Sequence, residues 1–159
     1  TEEVAEAGTD KWCSGVKIAA FPGGPQGGVF ANNVFNGFKQ AEADLGAEVD
    51  YYFSDWDAAK LVSQGKEALA TDIDGMATYG FGGEDAMGQL ADQAYENGII
   101  FTVLNTELPD TLSQYQADGT GYVGAINYNA GYDLGAKTVG EAGLAAGDQA
   151  LVWGLVSLP

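Results

Sequence analysis

Three short clusters in this chain hold residue types that could grip a ligand, and each follows an apolar run. The first, Phe21 to Gly28, reads Phe-Pro-Gly-Gly-Pro-Gln-Gly-Gly. The second is Gly80-Phe81-Gly82-Gly83 and the third is Asn105-Thr106-Glu107. Glycines let backbone approach a bound molecule closely, and the two prolines stiffen the first loop. A neutral amide such as Asn105 offers directed donors and acceptors to hydroxyl groups, and aromatic rings such as Phe30 and Phe81 offer a wall to the C–H face of a ring. Gly24, Pro25, Gln26, Phe30, Gly80, Phe81, Asn105 and Thr106 are therefore candidate contacts for an uncharged, polyhydroxylated ligand. Phe30 is also in register with the core face of a helix, so packing competes with binding for its role. Trp56 is a candidate rim aromatic. Asp55 and Asp57 read as turn and capping residues, and Glu107 is the acid at this edge without an evident capping task.

Composition narrows the chemistry further. The 159 residues carry a formal charge of -17, and the six basic residues are all lysine, with no histidine. Nothing here could neutralise a row of phosphates, so nucleic acid is excluded as a partner, and anionic membrane surfaces are disfavoured. Without histidine, Ser-His-Asp and Cys-His catalysis and histidine-built zinc sites are excluded from this chain. The spacing of Gly23, Gly24, Gly27 and Gly28 does not fit a dinucleotide fingerprint, and no Gly-Lys-Ser or Gly-Lys-Thr exists for a phosphate loop. A phosphoacceptor site would need acids after the first and third strands, where Phe21-Pro22 and Tyr79-Gly80 stand instead. No cofactor or metal is implied. The lone Cys13 reads as a half-buried bystander, and no stretch is apolar enough for membrane insertion.

The elements that position these clusters alternate regularly. Val16 to Ala20 reads as a strand, and the helix after the first loop shows a face of Phe30, Val34, Phe38, Ala41 and Leu45, stopped by Gly46. Glu48 to Phe53 is a second strand, and Asp57 caps a helix with Leu61, Val62, Gly65, Ala68 and Leu69 inward. Ile73 to Tyr79 is a third strand. Glu84 or Asp85 opens a helix with Ala86, Met87, Leu90, Ala91, Ala94 and Tyr95 inward, which ends at Asn97-Gly98. Ile99 to Leu104 reads as a central strand buried on both faces. A polar loop from Asp110 to Thr120, a short strand from Gly121 to Ile126, a helix from Tyr128 to Ala145 and a strand from Ala150 to Val156 complete the chain. Strands recurring every 25 to 32 residues or so imply right-handed crossovers in one parallel sheet, a doubly wound α/β fold of order 2-1-3-4-5. Ligands bind beyond the carboxyl ends of such strands, where all three clusters fall.

From Lys17 onward the chain resembles the N-terminal part of a type I periplasmic binding protein, the family of ribose- and autoinducer-binding proteins of ABC importers. The resemblance rests on an ordered set: the opening strand and loop, Asn36 to Gly46, Asp74-Gly75-Met76, Gly98 to Asn105, Gly121 to Asn127, and Gly131 to Gly135. It implies an exported, periplasmic receptor with its signal peptide removed, no catalytic residues, and two lobes that close on a neutral sugar or polyol for delivery to the permease subunits of an ABC importer. It places the first loop at one lip of the cleft, Asn105 where the family often has aspartate, Thr106 where ribose-type members often have arginine, and Asn127 at the hinge between lobes. It divides the chain into a flexible leader (1–15), an N-terminal lobe (16–124), and a hinge crossing with the first helix and strand of a second, truncated lobe (125–159). The alternatives are a nucleotide-cofactor enzyme on the same kind of sheet and the ligand-sensing module of a regulator.

Overall fold

The computed structural model describes residues 11–152, in which the apolar runs become five parallel strands in the order β2-β1-β3-β4-β5. In chain order these are β1 (Lys17–Gly23), α1 (Val29–Leu45), β2 (Glu48–Phe53), α2 (Ala58–Leu69), β3 (Gly75–Tyr79), α3 (Glu84–Glu96), β4 (Ile100–Leu104), α4 (Pro109–Tyr115), β5 (Tyr122–Val123) and α5 (Asn127–Ala142). The doubly wound order expected from the spacing of the strands is the order observed. Asp57 caps α2 as expected, its side chain accepting the Lys60 N–H at 2.9 Å. Gly46 ends α1 in the left-handed conformation (φ 84°) that glycine adopts without a Cβ penalty.

Handedness explains how the helices divide between the two faces. The β1→β2 crossover runs one way along the sheet, whereas β2→β3, β3→β4 and β4→β5 run the other. If every crossover is right-handed, α1 must lie on one face and α2, α3 and α4 on the opposite face. The packing agrees: α2 packs on α3 and α3 on α4, while Phe35 of α1 meets Tyr51 and Phe53 of β2. The three-helix face holds the core, with Ala19, Phe21, Met76, Phe101 and Val103 of the sheet buried against Leu61, Ala68, Met87, Leu90, Ala91 and Ala94.

On the α1 face, cross-strand register sets Ile18, Gly75 and Ile100 in one row, Ala20, Ala77 and Thr102 in the next, and Tyr79, Leu104 and Val123 at the carboxyl end. A single helix cannot cover five strands. Ile100 is 43% and Val123 77% exposed, and a groove of about 390 Å³ runs along the strip between Phe30, Val34 and Phe38 of α1 and Ala77, Thr102 and Leu104 of the sheet.

That open strip corrects two expectations. Strand β4 is not buried on both faces but alternates, with Phe101 and Val103 inside and Ile100 out. No residue of the expected inner face of α1 is fully buried: Val34 and Phe38 are intermediate, Phe30, Ala41 and Leu45 are exposed, and the buried residue of the helix is Ala31, which was not expected there. The stretch expected as a polar loop from Asp110 to Thr120 forms α4 and a 3-10 turn over Gln116–Asp118. Pro109 supplies the pre-set φ of a first helical position, and Glu84 of α3 caps it by accepting from the Thr111 N–H and hydroxyl, both at 2.7 Å.

At the N-terminal side, residues 12–15 form a turn whose Cys13 N–H donates to the Leu45 carbonyl at 2.8 Å. The first ten residues of the expected leader lie outside the described residues. Residues 150–152 are not in a strand, and the rest of the strand expected to Val156 also lies outside them.

Candidate functional site

The three clusters meet at one edge because β1, β3 and β4 are parallel neighbours that end there. Gly80 shows how tightly: a Cβ on it would strike the Thr106 carbonyl oxygen and come within 3.1 Å of Leu108 Cγ. The exit loops of β3 and β4 therefore touch through a position where only glycine fits. The exit loop of β2 is tied to β1 as well. The Ser54 hydroxyl donates to the Gly23 carbonyl, which also accepts the Trp56 N–H at 3.2 Å.

This tie brings an aromatic wall together. Trp56 meets Phe30, Tyr79 and Phe81 with ring centroids 5.8, 5.6 and 5.9 Å away, and Tyr79 also meets Phe30 at 6.4 Å and Phe81 at 5.8 Å. The outer rings are Phe30, 49% exposed, and Trp56, 46% exposed, while Phe81 and Tyr79 back them from inside. Phe30 and Trp56 touch one another, so they form one continuous aromatic surface rather than two facing jaws.

The glycines of the first loop do something the sequence did not reveal. A Cβ on Gly23 or Gly24 would come within 2.8 Å of the Trp56 indole, so the missing side chains make room for tryptophan. Gly24 is buried beneath it, whereas Pro25 and Gln26 are exposed.

The polar half of the site lies across the groove. Asn105 follows β4 with φ 64°, in the left-handed region that asparagine tolerates better than most residues. Its N–H donates to the Val123 carbonyl at 2.9 Å. Its own carbonyl accepts the Asn127 side-chain amide at 3.4 Å and lies 3.1 Å from the Tyr122 hydroxyl, which is also 2.9 Å from the Ala125 carbonyl. Asn105 and Asn127 thus come together at the exposed edge, and Thr106 beside them is half-buried. Asp55 and Asp57 do structural work as expected, Asp55 pairing with the Lys60 ammonium at 2.5 Å while Asp57 caps α2.

Two residues of this site were missed. Tyr79 ends β3 directly before Gly80 and is fully buried, with burial pushing its hydroxyl pKa up to about 12. Its place at a strand's carboxyl end was the available signal. Tyr122 anchors the Asn105 backbone and sits in a strand only two residues long. Among the described residues no cluster of acids or cysteine could hold a metal ion, and no helix is long and apolar enough to cross a membrane.

The chain is similar to a glucose-galactose binding protein from Geobacillus stearothermophilus, with a TM-score of 0.69 and 20% identity over 80% of this chain and 43% of that one. It is similar to a periplasmic sugar-binding protein from Pseudomonas fluorescens, with a TM-score of 0.64 and 19% identity over 83% and 39% of the two chains. A carbohydrate transporter from Acidothermus cellulolyticus, solved in complex with myo-inositol, gives a TM-score of 0.62 and 22% identity over 79% and 42%. The chain has the fold shared by these sugar-binding proteins. It spans about two-fifths of their length. No family profile and no curated protein sequence matches it.

Proposed function

We propose that the chain is the N-terminal ligand-binding lobe of an exported, non-enzymatic receptor that captures a neutral sugar or polyol and hands it to the permease subunits of an ABC importer. The observation that carries this reading is the pairing, at the carboxyl edge of the sheet, of an exposed Phe30–Trp56 wall with the amides of Asn105 and Asn127. The wall suits the C–H face of a sugar ring, and the amides suit its hydroxyls. In this reading Pro25 and Gln26 form the lip. Gly24, Gly80 and Phe81 support the wall and floor, and Thr106 stands beside Asn105. Residues 125–152 lead toward a second lobe. The fold shared with sugar-binding proteins supports the ligand class, and the net charge of -17 disfavours an anionic ligand.

A cleft shared by two lobes leaves one lobe with roughly half the contacts, so this chain alone should bind at about millimolar strength. NMR suits such affinities. The 15N-labelled chain is titrated with glucose, galactose and myo-inositol, and with ATP and NAD as comparators. Shifts concentrated at the Asn105 and Asn127 side-chain amides, the Trp56 indole and residues 23–27, produced by a sugar or polyol and not by the nucleotides, are the expected result. Nucleotide-induced shifts at the first loop, or no response to any sugar or polyol, would refute the reading. Asn105→Gly keeps the left-handed backbone and removes the amide, and it should weaken binding by about 1–3 kcal/mol.

A further inference from the structure

The Tyr79 hydroxyl is buried without a hydrogen-bond partner among the described residues. That is costly: a phenylalanine would fill the same space without stranding a polar group. The residue is fully buried, lies at the carboxyl end of β3, and lines the groove together with Phe30, Asn105 and Gly124. It occupies the middle of the aromatic wall, flanked by the rings of Phe30, Trp56 and Phe81.

The cover over it is only partly packed. Phe30 and Trp56 are each half-exposed, and Asp55 and Trp56 are consecutive non-glycine residues with φ of 57° and 60°. Such a conformation is strained and stands only while the Gly23 carbonyl and the Lys60–Asp55 pair hold it. Burial keeps the Tyr79 phenol neutral through the physiological range, so it remains both a donor and an acceptor.

We infer that Tyr79 is a specificity-determining residue of the cleft, whose hydroxyl bonds a ligand hydroxyl that enters behind the Phe30–Trp56 wall as Trp56 shifts. This rests on the proposed capture of a sugar or polyol and adds what that reading lacks, a group that counts hydroxyls beneath the stacking surface. An analogue lacking the matching hydroxyl would leave the phenol stranded, which is how a buried polar group discriminates.

The test is Tyr79→Phe, with two measurements on the whole chain. Unliganded, the variant should melt at the same temperature as the parent or higher, since the hydroxyl contributes no bond. A clear fall in melting temperature would mean that the hydroxyl serves the fold and would overturn the inference. In the NMR titration with glucose, galactose and myo-inositol, any probe that binds the parent should bind the variant roughly 5- to 150-fold more weakly. The residual shifts should still map to Asn105 and Trp56. Unchanged affinity for every such probe removes Tyr79 from the site and leaves the sugar reading intact. If no probe binds the parent, the sugar reading fails and the inference falls with it.

Discussion

Replacing Gly80 by alanine tests the claim that the exit loops of β3 and β4 are locked together. The added Cβ would stand 3.0 Å from the Thr106 carbonyl carbon and 3.1 Å from Leu108 Cγ, and closer still to the Thr106 oxygen. Carbon atoms are comfortable at about 3.5–4.0 Å and a carbon–oxygen pair at roughly 3.2 Å or more, so the loop must retreat by about an ångström, with the Thr106 oxygen setting the distance. It has little freedom to do so. The Thr106 N–H is bonded to the Leu104 carbonyl at 2.8 Å, and the Gly80 carbonyl accepts the Gly83 N–H at 3.1 Å. With backbone rather than a flexible side chain in the way, the cost should sit near the top of the overpacking range, about 2–3 kcal/mol. For a urea dependence of about 1.5 kcal/mol per molar, the denaturation midpoint should fall by roughly 1.3–2 M. The control is the same change at Gly37 in α1, where an added Cβ meets nothing within 4 Å. There alanine should stabilise by about 0.5–1 kcal/mol, raising the midpoint by roughly 0.3–0.7 M. One chemical change with opposite signs at two sites separates contact from propensity. A Gly80→Ala midpoint within about 0.3 M of the parent would refute the locked-loop argument.

Three further outcomes follow from the same structure. Val103→Thr buries a hydroxyl in the core and should cost about 1–3 kcal/mol in urea denaturation, whereas Val123→Thr on the open strip should be nearly neutral; equal costs would mean that the strip is covered. The folded-state pKa of Tyr79 lies above the unfolded value near 10, so its contribution is fully present below pH 10 and is lost as pH rises toward about 12. The loss reaches roughly 3 kcal/mol, and denaturation followed from pH 8 to 12 should show a smaller decline in Tyr79→Phe than in the parent. Asp57→Ala removes the bond to the Lys60 N–H and should cost about 1 kcal/mol, read from the same urea midpoints.

Much of the fold was legible because its signals are local. Asp57 before an apolar-periodic segment and Gly46 after one mark helix ends whatever the tertiary setting, and the recurrence of strands fixes parallel crossovers. The errors arise where burial depends on what lies across the sheet. Ile99 to Leu104 is apolar except for Thr102, as a strand covered on both sides would be, yet Ile100 faces the strip that α1 cannot reach. Likewise Phe30, Val34 and Phe38 share a helical face, but that face borders the groove rather than a closed core. Composition could not reveal this, because apolar residues at an open face and in a core look alike. Helix α4 was missed for a different reason. Its cap comes from Glu84, 27 positions away from Thr111, whereas the usual capping signal lies within one turn.

The candidate site was legible in its loops but not in its centre. Strand ends located Gly80, Phe81 and Asn105, and a neutral amide beside aromatics pointed to a polyhydroxylated ligand. What assembles the wall is Trp56, and nothing in Ser-Asp-Trp-Asp announces that Asp55 and Trp56 both adopt left-handed backbone. That conformation costs about 1–3 kcal/mol per non-glycine residue and persists only where the surroundings hold it. Here the holding contacts are non-local: the Gly23 carbonyl takes bonds from Ser54 and Trp56, and Lys60 pairs with Asp55. The absent side chains of Gly23 and Gly24 leave the indole a bed. Glycines that looked placed to admit a ligand thus first admit a tryptophan. If the sugar reading holds, the ligand meets that tryptophan rather than the glycine backbone, and the loop's role is to present an aromatic surface at the sheet edge.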